Sequence, residues 1–257
     1  MGDALVGCTG FVGSNLLRQR PFAGLYHSRN IDDIRGRPCD LLVCAGARAE
    51  KWKANQDPAA DRANLRRLTD ALEHARPRKV LLVSTIDVFA DPAGADEDTP
   101  VDPTRITPYG RHRHELEQFL RCRFDTSVVR LPGLFGPGLR KNVVYDLLYD
   151  NQVERINPSS VYQYYNLDHL WKDLDKVLQL GLPLAHFATE PLPTAELAEA
   201  VFGRRLPALP GAAAARYDFR SRHAELFGGG GGYLYRKDLV LAELKVFVAA
   251  ERQRRAA

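Results

Sequence analysis

The stretch VGCTGFVGS, residues 6–14, constrains this chain more than any other. Gly7, Gly10 and Gly13 stand three residues apart, directly after the apolar run ALV and at the start of a helical pattern. A strand–turn–helix uses glycine at such places for a tight turn, for close approach of the backbone to a ligand, and for helix–strand packing. The helix amino end then offers unpaired N–H groups and a partial positive charge, which suits a pyrophosphate. Thr9, Phe11 and Val12, which lie between and beside the glycines, join them as candidate contacts.

The next stretches build a sheet around that turn. DLLVCAG, KVLLVS and TSVVRL are short apolar runs rich in Val and Leu, the pattern of strands buried on both faces of a parallel sheet. Between them, PAADRANLRRLTDALEHA puts Ala63, Leu65, Leu68, Ala71 and Leu72 on one helical side. YGRHRHELEQFLRCRF does the same with Leu116, Phe119 and Leu120. The alternation predicts right-handed βαβ units and an α/β fold, a Rossmann-type doubly wound parallel sheet. From Gly133 the pattern loosens. GLFGPGLRKN is a loop leading into a helix at VVYDLL, two strand-then-helix segments follow, and KDLVLAELKVFVAAERQRR reads as a final amphipathic helix. AGAAAARYDFRSR and the glycine run Gly228–Gly232 have no period and are expected to form a mobile loop.

Charge and cysteine usage narrow the function class. The net charge is +4 over 257 residues and the basic residues are dispersed, which argues against a nucleic-acid partner. The ERQRR tail reads as a solvated helix end. No apolar run approaches the roughly 20 residues of a membrane span, and the chain enters a strand pattern at once, with no signal peptide. Cys8, Cys39, Cys44 and Cys122 lack zinc-type spacing. They read as reduced thiols of a cytoplasmic protein, with no metal site.

The second strand reads as GLYHSRN and ends in Ser28, Arg29 and Asn30, without the acid that normally accepts ribose hydroxyls there. Arg29 can pair with a 2′-phosphate and Ser28 can donate to it. That favours NADP over NAD; the alternative is contact between Asp32 or Asp33 and the adenosine. Residues 31–39 alone separate this strand from DLLVCAG, so the usual helix and third strand are trimmed.

In TPYGRHRHE, Tyr109 and Arg113 share a helical face. A cation about 4–6 Å from a tyrosine lowers its pKa of about 10 by roughly 1–3 units, so the pair reads as acid/base machinery. His112 and His114 point elsewhere on the helix and are expected to face solvent.

These motifs run in a telling order: the glycine turn, DLLVCAGA, Asn64 in RANLRRL, KVLLVSTIDVFAD, TPYGRHRHELE, VVRLPGLFGPG, NLDHLW and ATEPLPTAELAEAV. Over nearly the whole chain they resemble the extended short-chain dehydrogenase/reductases, the NAD(P)-dependent nucleotide-sugar epimerase/dehydratase group. The resemblance implies hydride transfer at a hydroxyl or keto carbon of a nucleotide-linked sugar, with Tyr109 as general acid/base and Thr85 bonding the substrate oxygen. Ala45, Gly46 and Leu131, with Pro132 beyond, would line the cofactor, and Gly133 stands at a substrate-contact position; the basic pair Arg140–Lys141, just after GPG, is itself placed to meet a substrate diphosphate. The resemblance also implies a homodimer and a division of the chain. Residues 1–132 with about 142–182 would form the dinucleotide domain, and 133–141 with about 183–257 a small C-terminal substrate lobe.

Three departures stand out. Arg113 replaces the family lysine, Gly133 replaces an asparagine, and Asp87 is the one acid left where dehydratases carry two. Arginine supplies the charge but cannot give up its proton. A binding protein with little turnover on the same fold is therefore the alternative to an enzyme.

Overall fold

A computed structural model describes residues 2–256. In chain order, β1 (Ala4–Val6) leads through the glycine turn into α1 (Phe11–Gln19) and β2 (Gly24–Tyr26). Then come β3 (Pro38–Cys44), a short helix α2 (Lys51–Gln56), α3 (Pro58–Leu72), β4 (Arg76–Thr85), α4 (Pro108–Arg123) and β5 (Thr126–Leu131). The remainder holds β6 (Gly133–Phe135), α5 (Val143–Tyr149), β7 (Val161–Tyr162), β8 (Tyr164–Asn166), α6 (Leu170–Gln179) and β9 (Leu184–His186). It ends with β10 (Leu192–Pro193), α7 (Thr194–Phe202) and α8 (Lys237–Ala256).

Six strands form one sheet in the order β2-β1-β3-β4-β5-β9, and every pairing in it is parallel. Leu5, Leu42, Val43, Leu81, Val128 and Val129 are fully buried, as the continuous apolar runs predict. The sheet confirms the Rossmann-type reading and its trimming. Where a helix and a further edge strand would follow β2, the chain makes one 3₁₀ turn, Ile31–Ile34, and enters β3 directly. The start of α3 follows capping chemistry. Asp57 accepts from Ala60 N (2.9 Å) with Pro58 in the first turn of α3. On α3 the buried stripe is Asp61, Leu65, Leu68, Ala71 and Leu72, while Ala63, expected on that side, is exposed.

The chain divides into two compact units, and the boundaries differ from those expected. The first comprises 1–90, 98–131 and 168–186; the second comprises 91–97, 132–167 and 187–257. Residues 142–167 belong to the second unit because β8 pairs with β6 and β7 pairs with β10, all strands of that unit. Residues 183–186 belong to the first because β9 is the edge strand of the large sheet.

The glycine run is not an irregular loop. Gly230 and Tyr233 exchange backbone hydrogen bonds (3.0 and 3.2 Å), and Gly232 O accepts from Ser221 N (2.8 Å). Gly228, Gly231 and Gly232 take positive φ, and a Cβ on Gly229 would lie 2.0 Å from Tyr233 O. The glycines meet the conformational demand of a tight turn rather than supplying slack. The segment before it is also anchored: Gln163, itself buried, donates to Phe219 O (2.8 Å) and accepts from Phe219 N (3.0 Å).

Candidate active site

In the first unit, the turn after β1 has the geometry its glycines predict. Gly10 N donates to Gly7 O (2.9 Å) and closes the turn. Gly7 has φ +86°, and a Cβ there would lie 2.3 Å from Ala45 O. A Cβ on Gly13 would lie 2.2 Å from Gly7 O, so α1 packs directly on the turn. Gly46 is equally close to β1, with a Cβ reaching 2.8 Å from Val6 Cγ1. Among the described residues no side chain caps the amino end of α1, and its first turn holds no acid. Its leading amides are thus left for an anion. Thr9 is exposed, Phe11 and Val12 are half-buried, and Leu131 is buried at the end of β5.

Beside this turn lies a cavity lined by Gly7, His27, Ser28, Gly46, Asn64 and Arg67, among others. Strand β2 stops at Tyr26 rather than Asn30, because Asn30 folds back. Its Oδ1 accepts from His27 N (2.7 Å) and its Nδ2 donates to Leu25 O (3.0 Å). Ser28 lines the cavity wall. Arg29 is exposed on the turn, and the cations on the wall are Arg48 and Arg67. Asp32 is held by Arg35 (3.3 Å) and Arg67 (3.5 Å), so the carboxylate offered as an adenosine contact is already engaged; Asp33 is exposed beside it.

Tyr109 lies in the first turn of α4 and is 6% exposed. Its N–H, which no residue of its own helix can pair, donates to Asn55 Oδ1 (3.0 Å) on α2. Gly110 lets this turn press on the 3₁₀ turn Ile86–Val88, since a Cβ there would lie 2.0 Å from Asp87 O. Arg113 covers the ring, its Cζ 4.0 Å from the ring centroid. The same guanidinium donates to Asp61 Oδ2, to the Arg48 carbonyl and to Tyr109 O (3.4 Å). It is thus a clasp joining α3, α4 and the segment after β3. Burial pushes the Tyr109 phenol up. Arg113 and Lys51 pull it down, Asp87 and Asp61 push it up, and burial prevails. The predicted lowering by Arg113 is present but outweighed.

Other residues of this end have partners of their own. Thr85 Oγ1 accepts from Asp87 N (3.2 Å), so it caps the turn after β4. Asp87 is ion-paired with Lys51 Nζ at 2.7 Å. His112 does not face solvent. It is 3% exposed, its Nδ1 lies 2.7 Å from Asp61 Oδ2, and its Nε2 accepts from Arg62 Nε (3.3 Å). His114 is only partly exposed, with Nδ1 3.5 Å from Glu117 Oε2. Both corrections have one cause: α4 is covered by α3 as well as by the sheet, so more than one of its faces is buried. Burial alone would raise the Asp61 carboxyl, but hydrogen bonds from Arg113 and His112 outweigh it and hold the pKa below the ordinary range.

Behind the tyrosine, Glu117 is fully buried and held by Arg130 through two bonds (3.1 and 2.7 Å) and by Ser84. Burial opposes its charge, yet His114, Arg130 and Ser84 bring its pKa to about 2. Arg130 also lies 5.1 Å from the Phe89 ring centroid and 3.4 Å from His186 Nε2.

In the second unit, Gly133 begins β6, and a Cβ there would meet Gln163 O at 2.9 Å; glycine at this position is required by packing. Arg140 and Lys141 are exposed before α5. This unit has its own cavity of about 280 Å³, lined by Asp146, Gln152, Arg155, Asn157, Ser160 and Tyr162, among others.

Asp61, Lys51, Asn55, Arg67, Gly110 and Glu117 escape the motif reading. Asp61 had a signal: it stands in register with Leu65, Leu68 and Leu72 on the apolar stripe of α3. A charge there marks a buried ion pair. Arg130 inside the apolar run TSVVRL is a signal of the same kind. KWKANQ, which places Lys51 and Asn55, has too little periodicity to announce a helix.

The fold is shared with solved structures of similar topology. A dTDP-4-dehydrorhamnose reductase from Clostridium acetobutylicum has 15% identity and a TM-score of 0.74, with 98% of this chain and 100% of that one covered. DesIV, a dTDP-glucose 4,6-dehydratase from Streptomyces venezuelae with NAD and TYD bound, has 17% identity and a TM-score of 0.74, covering 99% and 98%. RMD from Pseudomonas aeruginosa, complexed with NADPH, has 17% identity and a TM-score of 0.74, covering 99% and 100%. No curated protein matches the chain. The NAD dependent epimerase/dehydratase family model matches residues 4–157, more than half of the sequence, and the chain belongs to that family.

Proposed function

We propose that the chain is an NADP(H)-dependent reductase acting at a keto or hydroxy carbon of a nucleotide-linked sugar, with Tyr109 as its acid/base. The observation that carries this reading is the pairing, within one compact unit, of an uncapped glycine turn with a buried, cation-covered tyrosine. The turn fits a dinucleotide because Gly7 and Gly13, where a Cβ would strike backbone, hold it tight against α1, whose amino end no side chain caps among the described residues. Gly7, Thr9, Gly10, Phe11, Val12 and Gly13 would hold the pyrophosphate, and Ala45, Gly46 and Leu131 would line the remainder. When bound, the nicotinamide supplies or accepts hydride. Tyr109 gives or takes the proton on the substrate oxygen, and Thr85 donates a hydrogen bond to that oxygen.

NADP is favoured over NAD by Ser28, Arg48 and Arg67 on the cavity wall, with Arg29 on its outer turn. A cofactor exchanged at each turnover suits a reductase better than an epimerase, which reuses one bound dinucleotide. Solved relatives are a dTDP-sugar reductase, a dTDP-glucose dehydratase and a protein bound to UDP-glucose and NAD, which supports a nucleotide-linked sugar as substrate. In the second unit's cavity, Arg155 offers a cation and Tyr162, stacked on Tyr217 at 5.6 Å, an aromatic surface for a nucleotide. Gly133, Arg140 and Lys141 are assigned to the sugar diphosphate, and a cytoplasmic homodimer completes the reading.

The test is NADPH loss on incubation with a panel of 4-keto nucleotide sugars. We expect loss with at least one of them, and Tyr109→Phe should slow it about 10²- to 10⁴-fold, the usual reach of a positioned acid/base. A second reading, dinucleotide binding without turnover, is favoured by one observation: Arg113 is already committed to Asp61 and Arg48. Tight NADPH binding with no consumption across the panel would select it.

A further inference from the structure

The cavity of the second unit holds a charge that the chain does not pair. Asp146, on α5, lines its wall with Gln152, Arg155, Asn157, Ser160 and Tyr162. Among the described residues, the Asp146 carboxylate takes one hydrogen bond, from Asn151 Nδ2 to Oδ1 (2.7 Å), and forms no ion pair. It is half-buried, and burial pushes its pKa up against that bond. A carboxylate withdrawn from water without a cation is costly, and on a cavity wall it suits a ligand that brings donors. Most of the other polar side chains there are occupied. Asn157 donates to Ala212 O (3.0 Å) and accepts from Ser159 N (2.9 Å), while Ser160 Oγ accepts from Ala215 N (3.1 Å).

Gln152 differs. Its Oε1 accepts from Arg155 Nη1 (3.2 Å), and since arginine only donates, the amide NH2 is the end left for a ligand. Gln152 keeps this place at φ +48°, a left-handed conformation that a residue with a Cβ adopts at a cost. The other non-glycine residues of positive φ among the described residues, Asn142 and Asp150, flank the helix that carries Asp146. Tyr162, stacked on Tyr217, supplies a flat apolar face.

We propose that this cavity selects guanine, so that the nucleotide-linked substrate is a guanosine-diphosphate sugar, with Asp146 as the specificity-determining residue. Guanine presents two adjacent donors, N1–H and the 2-amino group, beside the O6 acceptor. The carboxylate meets both donors, and the Gln152 amide meets O6. Uracil and thymine present one N–H between two carbonyl oxygens; adenine and cytosine present an amino group beside a ring-nitrogen acceptor. Each sets an acceptor against the Asp146 carboxylate, which repels it.

This rests on the substrate being nucleotide-linked, so binding is measured apart from turnover. Calorimetric titration of the full chain, with NADPH in excess to fill the glycine turn, compares GDP, IDP, UDP and dTDP. GDP should bind about tenfold tighter than UDP or dTDP, and about fivefold tighter than IDP, which lacks the 2-amino group; that is the discrimination one bidentate base contact gives. Asp146→Asn should lose this preference and bind UDP and dTDP more tightly than wild type does, because its amide NH2 meets a carbonyl oxygen. A merely structural role would weaken all four alike. The inference is overturned by UDP or dTDP binding as tightly as GDP, by IDP matching GDP, by a GDP-to-UDP ratio unmoved in Asp146→Asn, or by no binding at all. If the GDP preference and its dependence on Asp146 hold but no GDP-linked 4-keto sugar consumes NADPH, the inference stands and the reductase reading falls. If only a UDP- or dTDP-linked sugar is reduced, the reductase reading stands and the inference falls.

Discussion

The glycine turn and the tyrosine end belong to the same unit, yet they are held by different means. The turn is made of backbone. Gly7, Gly10 and Gly13 act within seven residues; a side chain at Gly7 or Gly13 would collide with Ala45 or with Gly7 itself, and one at Gly10 would press on Gly7 O at 3.2 Å. The tyrosine end is made of long-range ionic contacts. Arg113 reaches Asp61, 52 positions away, and the Arg48 carbonyl, 65 positions away. Glu117 holds Arg130 and Ser84 on two different strands. A backbone site tolerates change around it but none within it. A network of buried charges can exchange members as long as each charge keeps a partner, as Arg113 does in Asp61.

If that contrast is sound, the tyrosine end fails through stability and the glycine turn through binding. The largest effect is expected from Glu117→Ala, which leaves Arg130 buried without its anion and should cost about 3–5 kcal/mol. Urea unfolding measures it, and a loss under 1 kcal/mol would mean the network is ornamental. The same carboxylate sets an acid limit. Its folded pKa of about 2 lies below the ordinary 4.5. A depressed folded value means its contribution is complete above about pH 4.5 and is lost as pH falls toward 2. That loss is roughly 3 kcal/mol, and the acid transition should be blunted in the Glu117→Ala protein.

Gly13→Val tests the other side. The new Cβ meets Gly7 O at 2.2 Å, so α1 must move from the turn, at a cost of about 1–3 kcal/mol. NADPH affinity, read by fluorescence titration, should fall at least thirtyfold, since the amides of α1 move with it. A protein that stays folded and binds NADPH normally would break the claim that the turn is the cradle.

The same contrast explains what the sequence made legible. Glycine spacing is a local signal, because the residues that need the conformation are the residues that carry it. Continuous apolar runs located the centres of β3 and β4 and the whole of β5 for the same reason. The tyrosine was legible from its helix and its place after β4, but its partners were not. Asn55 meets it, and Asp61 and Arg48 meet the Arg113 that covers it, only through tertiary packing. His112 was misread because one helix offers no view of α3 packed beside it. The domain boundaries failed likewise: β7 and β8 are two- and three-residue strands whose partners are distant in the chain.

Asp61→Asn sharpens the comparison within the tyrosine end. Arg113 loses its charged partner, while the amide oxygen can still accept from it and from His112. The cost should be about 2 kcal/mol, the range of a hydrogen bond to a charged group. Asp61 is also one of the two carboxylates that push the Tyr109 phenol up. Its neutralisation should therefore lower the Tyr109 titration midpoint while destabilising the fold. A variant that shifts neither quantity would detach Asp61 from the site.

The smallest effect is expected from Arg113→Lys, which restores the residue the resemblance would place there. An ammonium can keep the ion pair with Asp61, but it lacks the planar fork that also reaches the Arg48 carbonyl and covers the Tyr109 ring. One charge-assisted bond and one cation–π contact are lost and no charge changes, so stability should fall by about 1–2 kcal/mol. Turnover should fall by less than tenfold, because the positive charge beside Tyr109 survives. A rise in kcat would mean that Arg113 is a handicap left beside an older site. Complete loss of turnover in a folded protein would mean that the guanidinium itself orients the phenol, and the contrast between a rigid turn and an exchangeable network would have to be given up.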